Sequence, residues 1–358
     1  CKGAFAMKKT ICAVKIGNMK ARDEAERGVV KTLEMPDLPV GPHDVKIRVA
    51  YCAICGSDPH LVGGIFPQRV VPFGLGHEVS GVVEELGSEA TVKGLKVGDH
   101  VAGNFLRACG ACYYCNNGQP QFCQHAKDEA DSPGMSEYVV WDESQVWKLP
   151  DSVSLAEGCI LEPVSIATRI VDKADMKVGS RVAIQGGGPI GLLTLQMMKM
   201  HGATSLTLIE PIRERRDLAV SFGADHVIDP GSQDVIAECS KITAGLGFDV
   251  VVEASGFAPA ATIPCEIAAC GGKVLYIAMF PDDYEMPLNL YQKCYKKELT
   301  ITGTLVAPYA FPRAVQVLPR LNLKPFIQHV YTIDQPEEAF AAHLSGKYPK
   351  VLIKCNNL

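Results

Sequence analysis

Apolar residues recur at two different spacings along this 358-residue chain, and each spacing predicts a different kind of domain. From residue 30 to about 150, the runs DVKIRVAYCA, EVSGVVEELG and DHVAGNF are separated by Gly, Pro and Asp. Alternation of apolar and polar positions between frequent turns is typical of half-buried strands. This part of the chain therefore predicts a compact, barrel-like β domain.

From about residue 153 the spacing becomes helical, and SLAEGCILEPVSIATRIVDKA predicts a helix with Ser154 as its N-cap. Short apolar strands then alternate with helices to about residue 305. The predicted strands are RVAIQG, SLTLIE, HVID, FDVVVEAS and KVLYIAM, and the predicted helices are PIGLLTLQMMKMHG, RERRDLAVSFGA, VIAECSKITAG and PAATIPCEIAACGG. This alternation predicts an α/β fold with a parallel sheet between helices. The last fifty residues, with a helix-like AFPRAVQVLPRL and a strand KVLIK, could pack on either domain.

A glycine-rich turn joins the first of these strands to its helix. Gly186, Gly188 and Gly191 in AIQGGGPIGLL have the spacing G-x-G-x-x-G, which is weak evidence alone but here follows a strand and opens a helix. The three positions allow a tight turn, backbone approach to a pyrophosphate and close packing of helix on strand. The helix N-terminus adds partial positive charge. We therefore predict a dinucleotide site here, which includes Pro189 and Ile190.

The strand after this helix ends in Glu210, nineteen residues beyond Gly191. A carboxylate at this place can accept both ribose hydroxyls and would repel a 2′-phosphate, so it favours NAD over NADP. The opposing feature is RERR, because Arg213, Arg215 and Arg216 could hold a 2′-phosphate if Glu210 turned away. Otherwise these arginines form a solvated first helical turn. NAD is the favoured cofactor, and Arg215 is a candidate contact to it.

Four of the fourteen cysteines lie in the stretch CGACYYCNNGQPQFC. Cys109, Cys112, Cys115 and Cys123 can close a tetrahedral shell around zinc at about 2.3 Å. An iron–sulfur cluster also takes four cysteines, and reactive thiols are a third interpretation. Because a shell of four thiolates leaves no open position, zinc here would be structural.

A second set of metal-binding residue types is dispersed along the first half of the chain. YCAICGSDPH, GLGHEVSG and LEPVSIA supply Cys55, Ser57, Asp58, His60, His77, Glu78 and Glu162. Each has a plain explanation by itself, since a lone histidine beside a strand is usually a hydrogen-bonded polar residue and a glutamate before proline can be a helix-start charge. Together, Cys, His and carboxylate suit a catalytic zinc with one open position.

Composition narrows the range of partners. The chain is 47% hydrophobic, has a net charge of −5 and contains no long run of Lys or Arg. Its attraction to nucleic acid or to an anionic membrane is therefore weak, and a small molecule is the expected partner. The longest apolar stretch, VAIQGGGPIGLLTLQMMKM, is interrupted by polar residues and glycines, and CKGAFAMKKT lacks the pattern of a signal peptide. We expect a cytoplasmic protein.

Several of these segments resemble one known family. CGSDPH, GHEVSGVVEELGS, VGDHVAG, the four-cysteine loop, LEPVSIA, GGGPIG and GFDVVVEASG occur in the order of the zinc-dependent medium-chain dehydrogenases, over nearly the whole chain from Met7. The pair Glu162-Pro163 lies where the liver alcohol dehydrogenase branch carries a cysteine, so the chain looks like the polyol branch. The resemblance implies a GroES-like β-barrel catalytic domain over residues 1–170, with a structural zinc lobe at about 105–125. A Rossmann domain would follow over 171–305, and residues 306–358 would return to the catalytic domain.

The resemblance also implies a ligand set for the catalytic zinc. Cys55, His77 and Glu78 would be ligands, and Glu162 would be either a direct ligand or the partner of a metal-bound water. Asp58 would orient the Cys55 loop or His77, as ligating imidazoles commonly require. Together with the four-cysteine loop, this gives two zinc ions per chain.

Four further residues acquire roles from the resemblance. Ser57 and His60 would carry the proton of the substrate hydroxyl to solvent, and Ile277 and Met279 in IAM would lie beside the nicotinamide. Zinc would make the hydroxyl more acidic, and the nicotinamide would accept hydride.

The implied function is NAD-dependent oxidation of a secondary alcohol of a polyol or sugar alcohol to a ketone. Alternatives with the same mechanism are a vicinal diol such as butanediol, L-threonine, or a sugar-alcohol phosphate, for which Arg69 is a candidate contact. A non-catalytic nucleotide-binding relative would lack the second metal set, and an iron–sulfur electron carrier would be brown. The family is dimeric or tetrameric, so we expect a homodimer or homotetramer. KVLYIAM and TITGTLVA could pair across a two-fold axis or lie inside the sheet.

Overall fold

The structure is a computed structural model that describes residues 6–65, 69–127 and 132–358. Its strands are β1 Met7–Lys15, β2 Val29–Pro36, β3 Asp44–Ala53, β4 Phe73–Gly74, β5 Glu78–Leu86, β6 His100–Gly103, β7 Tyr138–Asp142, β8 Val146–Lys148, β9 Arg181–Gln185, β10 Ser205–Ile209, β11 His226–Ile228, β12 Phe248–Glu253, β13 Ala268–Tyr276, β14 Thr300–Gly303, β15 Val330–Thr332 and β16 Leu352–Lys354. Two compact units contain them: Cys1–Glu162 with Phe311–Leu358, and Pro163–Ala310.

The α-helices are α1 Ser57–Val62, α2 Tyr113–Asn116, α3 Leu155–Gly158, α4 Leu161–Ala174, α5 Pro189–Met200, α6 Arg213–Ser221, α7 Val235–Ile242, α8 Ile263–Ile267, α9 Phe311–Val317 and α10 Pro336–Leu344. Short 3-10 helices cover Pro120–Phe122, Glu143–Gln145, Ala258–Ala260, Leu318–Arg320 and Lys324–Phe326, and a π-helix covers Tyr291–Lys296. Within the described ranges, no helix is both long and apolar enough to cross a bilayer.

The first unit is built around the long strand β3. Its apolar side chains at Val45, Ile47 and Val49 are fully buried at every second position, as the alternating pattern predicts. The larger described sheet of this unit has the order β15-β16-β3-β5-β6-β8, with β7 also paired to β3. A three-stranded sheet, β2-β1-β4, lies in the same unit.

Three strands of this sheet bring distant parts of the chain to one edge. β3 pairs antiparallel with β5, where Ala53 faces Glu78, and with β16, where Leu352 faces Ala53. The end of β3, the start of β5 and the start of β16 therefore lie side by side. Residues just beyond these positions can meet although they are far apart in sequence.

The second unit contains a six-stranded, all-parallel sheet in the order β11-β10-β9-β12-β13-β14. Counted from β9, this order is 3-2-1-4-5-6, the doubly wound arrangement in which the carboxyl ends of the strands carry the binding loops. The predicted α/β fold with a parallel sheet is confirmed. All five predicted strands from RVAIQG to KVLYIAM are present.

Two predicted helices differ from the structure. The helix predicted from Ser154 is two helices, α3 and α4, although Ser154 does cap α3 in a capping box with Glu157. The helix predicted over PAATIPCEIAACGG ends at Ile267, and its last residues belong to β13. The ammonium of Lys297 explains this end, because it donates hydrogen bonds to the carbonyls of Glu266 (2.9 Å) and Ala268 (2.8 Å).

Candidate functional site

Cys55, His77 and Glu78 meet at the edge where β3 ends and β5 begins. Each offers one ligand atom, and the three atoms lie within 4.8 Å of one another. Gly76, just before His77, has a φ of +92°, and a Cβ there would lie 2.8 Å from the sulfur of Cys52. The glycine therefore lets the chain turn tightly enough to aim His77 toward Cys55.

Two buried atoms of this cluster lack a partner. His77 Nδ1 and Glu78 Oε2 have no hydrogen bond in the described structure. Buried polar atoms are nearly always paired, so orphaned ones need an explanation such as a bound ion. Cys55, His77 and Glu78 together offer a mixed S, N, O donor set that suits a zinc ion and leaves one position open. The residues therefore fit the metal predicted for them.

The surroundings of His77 favour positive charge. Burial opposes protonation of its imidazole, but the Cys55 thiol, Asp58 and Glu162 outweigh burial and raise the pKa of His77 well above its usual value. The ring of Phe105 packs against it at 4.7 Å between centroids. A metal cation would be stabilised by the same negative field.

Ser57, Asp58 and His60 all lie on the short helix α1 that follows Cys55. The Asp58 carboxylate is fully buried and accepts a hydrogen bond of 2.8 Å from the backbone N–H of Cys55, so it holds the Cys55 loop. Ser57 is half-buried and His60 is exposed. Because residues three apart share a helix face, these two side chains can form a path from the site to water.

Glu162 is buried in the first turn of α4. The preceding helix α3 packs on β5, where the Ser80 hydroxyl donates a hydrogen bond to the carbonyl of Leu155. Glu162 lies near enough to His77 to raise the pKa of the imidazole, but it is not part of the compact trio of ligand atoms. The structure thus brings Glu162 to the site at a greater distance than Glu78.

Lys350 is a residue of this site that the sequence reasoning missed. Its ammonium lies 2.5 Å from Glu78 Oε1, and both side chains are almost completely buried. Lys350 precedes β16, so the pairing of β16 with β3 delivers it to the metal-site edge. The only signal in the sequence is a lysine directly before the apolar run of KVLIK.

The four cysteines predicted to bind a structural zinc ion lie close together. Sulfur–sulfur distances are 3.6 Å for Cys112–Cys115, 3.9 Å for Cys112–Cys123 and 4.0 Å for Cys109–Cys115. Four ligands at about 2.3 Å around one tetrahedral ion lie about 3.8 Å apart. An iron–sulfur cluster places several ions between its cysteines and would hold them farther apart. The geometry therefore fits a single zinc ion.

Backbone N–H groups also prepare this cluster for a metal. The N–H groups of Ala111 and Cys112 point at Cys109 Sγ, at 3.4 Å each. Backbone groups at Cys115 and Gln124 lower the pKa of the Cys112 thiol to about 6. A thiolate is therefore available at neutral pH, which is the form that binds metal.

The glycine-rich turn that is predicted to bind a dinucleotide joins β9 to α5. Gly186 has a φ of +107°, and Gly188 is the N-cap of α5. Pro189 and Ile190 occupy the first turn and are half-buried. A Cβ on Gly191 would lie 2.0 Å from the carbonyl oxygen of Gly186, whereas a Cβ on Gly188 would meet no atom of the described residues within 4 Å.

We expect Gly191→Ala to lower the stability of the protein and Gly188→Ala to lower its affinity for the dinucleotide. Gly191→Ala forces two backbone segments apart, which costs about 1–3 kcal/mol and lowers the melting temperature. Gly188→Ala has room in the protein but puts a methyl group where a pyrophosphate would approach, so it should melt normally and lose at least about tenfold in dinucleotide affinity. Calorimetry and nucleotide titration of both variants check this. Equal melting temperatures for wild type and Gly191→Ala would contradict it.

Glu210 lies at the carboxyl end of β10, directly beside the glycine turn. Its carboxylate accepts hydrogen bonds from the N–H groups of Gly187 (2.6 Å) and Ile212 (2.9 Å), and Arg215 lies 3.8 Å away. Arg216 donates to the Glu210 carbonyl and pairs with Asp229 at 3.1 Å. Arg213 lies 3.7 Å from Asp217, so all three arginines are paired with carboxylates.

Ile277 and Met279 follow β13 and lie at the same end of the sheet. The Ile277 N–H donates to the carbonyl of Glu253 at 3.0 Å. The Met279 carbonyl would be 2.6 Å from a Cβ on Gly256, so this loop lies against the loop after β12. The structure thus places the glycine turn, Glu210 and the Ile277–Met279 loop at one edge, as a dinucleotide site requires.

Comparisons with known proteins identify the family of this chain. Residues 41–151 match the model of the alcohol dehydrogenase GroES-like domain, and residues 189–320 match the zinc-binding dehydrogenase model. The chain is 33% identical to a sorbitol dehydrogenase of Halalkalibacterium halodurans, over 94% of this chain and 99% of that protein. It is 35% identical to an L-threonine 3-dehydrogenase of Pyrococcus horikoshii, over 87% of this chain and 91% of that protein. A Sinorhizobium meliloti structure bound to NADP, described as a putative zinc-binding dehydrogenase, superposes with a TM-score of 0.86 at 27% identity, covering 98% of this chain and 100% of that one.

Proposed function

The chain belongs to the zinc-dependent medium-chain dehydrogenases, in their polyol branch, and we propose that it oxidises a secondary alcohol of a polyol or sugar alcohol to a ketone with NAD. It is a zinc-type alcohol or polyol dehydrogenase that uses a nicotinamide cofactor and acts on a small molecule. The observation that carries the proposal is the trio of Cys55, His77 and Glu78, whose ligand atoms lie within 4.8 Å of one another.

We propose that this trio holds the catalytic zinc, with Glu162 as a fourth, more distant carboxylate. When bound, zinc supplies Lewis acidity that lowers the pKa of the substrate hydroxyl. The chain's own contribution is to keep the donors aligned, since Asp58 holds the Cys55 loop through its backbone N–H. The Phe105 ring packs against the His77 imidazole at 4.7 Å between centroids.

The proton released by the substrate needs a route to solvent. Ser57 and His60, three residues apart on α1, would supply it: the half-buried Ser57 hydroxyl would take the substrate proton while giving its own to the exposed His60 imidazole, which would release it to water. Ile277 and Met279 would lie beside the nicotinamide, which when bound supplies the acceptor for hydride. The protein supplies position and charge for a redox step that belongs to the cofactor.

We propose that the Cys109–Cys123 loop holds a second, structural zinc ion. The sulfur–sulfur distances fit one ion, and four thiolates leave no position for substrate. The count of two zinc ions per chain can be measured by metal analysis of purified protein. A brown sample containing iron would contradict it.

NAD is the proposed cofactor because Glu210 lies where a 2′-phosphate would be. We expect Glu210→Gln to raise kcat/KM for NADP relative to NAD by about tenfold, since it removes the repelling charge while keeping one acceptor oxygen. Glu214→Gln, an exposed position on α6 that changes net charge equally, is the control. Steady-state kinetics with both nucleotides check this. A wild-type protein that already prefers NADP would overturn the assignment.

The substrate class is tested by NADH formation across sorbitol, xylitol, inositol, butanediol, threonine and sugar-alcohol phosphates, with and without a chelator. We expect chelator-sensitive activity on a polyol. Activity confined to threonine or to a phosphate would select one of the alternatives, in agreement with the relative that is a threonine dehydrogenase. Arg69, whose guanidinium lies 5.6 Å from the Phe73 ring, is then the first candidate for binding the carboxylate or phosphate.

We also propose that the chain assembles as a homodimer or homotetramer. Strand β14 is the last strand of the parallel sheet, and two of its four residues are exposed. An edge strand of this kind can pair with its counterpart across a two-fold axis. Light scattering coupled to gel filtration measures the mass, and a monomer at micromolar concentration would contradict the proposal.

Finally, we propose that the enzyme works in the cytoplasm. Both proposed zinc sites depend on thiolates, and the exposed Cys109 would be prone to oxidation outside a reducing compartment. Fractionation of cells that express the chain tests this.

A further inference from the structure

Glu78 is held on one side by a buried cation. The Lys350 ammonium donates to Glu78 Oε1 at 2.5 Å, and the two side chains are 3% and 1% exposed. The other oxygen, Oε2, is buried and has no hydrogen-bond partner among the described residues. Glu78 therefore has one oxygen occupied and one left for the metal.

The fold explains how a lysine reaches this place. Leu352 pairs with Ala53 across β16 and β3, and the N–H of Ile54 donates to the carbonyl of Val351 at 2.9 Å. Lys350 is thereby carried past the end of β3, next to Cys55, while Glu78 begins the strand on the other side. The C-terminal segment thus completes a site whose ligands come from the first eighty residues.

We propose that Lys350 is a positioning residue of the metal site, which holds Glu78 Oε1 so that Oε2 alone faces Cys55 and His77. The inference rests on the proposed function, since it assumes a metal at this trio. Without Lys350, the carboxylate could rotate and present either oxygen, or both, to the metal. Partners that orient a metal ligand in this way typically contribute 10–100-fold to affinity.

The charge of the site gives Lys350 a second reason to be there. Asp58, Glu78 and Glu162 are three buried carboxylates close to the Cys55 thiol. Such a concentration of negative charge is costly unless cations compensate it. The Lys350 ammonium lies against one of these carboxylates, and a bound metal cation would add further positive charge.

Cobalt(II) titration of the metal-free protein tests the proposal, because its visible spectrum reports ligand geometry. Subtracting the spectrum of Cys55→Ser isolates this site from the four-cysteine site. We expect Lys350→Met, which removes the ammonium but keeps the chain length, to weaken cobalt binding about 10–100-fold and to shift the spectrum. The control is Lys8→Met, another buried lysine, which pairs with Asp37 at 3.9 Å in the same unit and should leave both unchanged.

A double-mutant comparison with Glu78 shows whether Lys350 positions that carboxylate or only stabilises the fold. If Lys350 acts through Glu78, Lys350→Met should weaken binding by less than about threefold when Glu78→Gln is already present. The double variant also removes both charges of the pair together, which buried sites tolerate better than the loss of one. If Lys350→Met alone fails to fold, the cobalt affinities of Glu78→Gln and of the double variant still test the proposal. A cobalt affinity tenfold lower in the double variant than in Glu78→Gln would overturn it.

The cobalt titrations distinguish the absence of a metal at the trio from the absence of a role for Lys350. If wild type and Cys55→Ser bind cobalt identically, there is no metal at the trio, and the proposed function falls together with the role of Lys350. If the wild-type site binds cobalt but Lys350→Met binds it equally well with the same spectrum, only the role of Lys350 is overturned. Weakened, spectrally shifted binding that depends on Glu78 supports it.

Discussion

Cys55→Ala is expected to lower kcat by at least about a thousandfold while the dinucleotide still binds. The Cys55 sulfur is one of three donor atoms within 4.8 Å, and the zinc that we propose it holds would contribute several kcal/mol to the transition state, where each 1.36 kcal/mol is tenfold in rate. The glycine turn and Glu210 lie in the other compact unit, so their geometry does not depend on Cys55. Turnover assays, NADH titration and metal analysis of the same preparation measure the three effects.

A matched control makes this result specific. Cys12 is also in the first unit and fully buried, and burial raises the pKa of its thiol to about 11, so it is an inert core residue. Cys12→Ala should retain both its zinc and its turnover, with at most a modest loss of stability. Full activity in Cys55→Ala would remove the basis for a zinc site at β3 and β5.

Cys112→Ala is expected to damage stability before catalysis. Cys112 lies 3.6 Å and 3.9 Å from two other sulfurs of the cluster, so its loss opens the proposed four-thiolate shell. A metal whose free concentration is about a thousandfold above its dissociation constant raises the free energy of unfolding by about 4 kcal/mol. This corresponds to roughly 10 °C in melting temperature. Calorimetry, zinc content and limited proteolysis near residues 105–125 check this. Zinc per chain should fall by one.

The exposed Cys270 provides the control for this second prediction. Cys270→Ala should keep its zinc, melting temperature and protease resistance. A chelator should lower the melting temperature of wild type toward that of Cys112→Ala, and should have little further effect on that variant's local stability. If Cys112→Ala lost only turnover, with zinc content and melting temperature intact, the loop would not hold a structural zinc ion.

Local pattern accounts for much of the second unit. The strands from RVAIQG to KVLYIAM are short and apolar, and the glycine spacing between β9 and α5 needs only neighbouring residues to be recognised. The boundary of α8 is different, because Lys297 binds the carbonyls at its end from thirty residues farther along the chain. No window around residues 258–271 contains that lysine. Helix spacing therefore predicted a longer helix than the fold permits.

The sequence by itself determined the α/β class, the family and the kind of enzyme, because these depend on residue types at short, regular spacings. The four-cysteine loop and G-x-G-x-x-G are of this kind. Only the tertiary structure decided which dispersed residues meet. Lys350 and Glu78 are 272 positions apart, and they pair because β16 and β5 both flank β3 in one register. Strand register over such separations is set by packing of the whole sheet, which no local pattern contains.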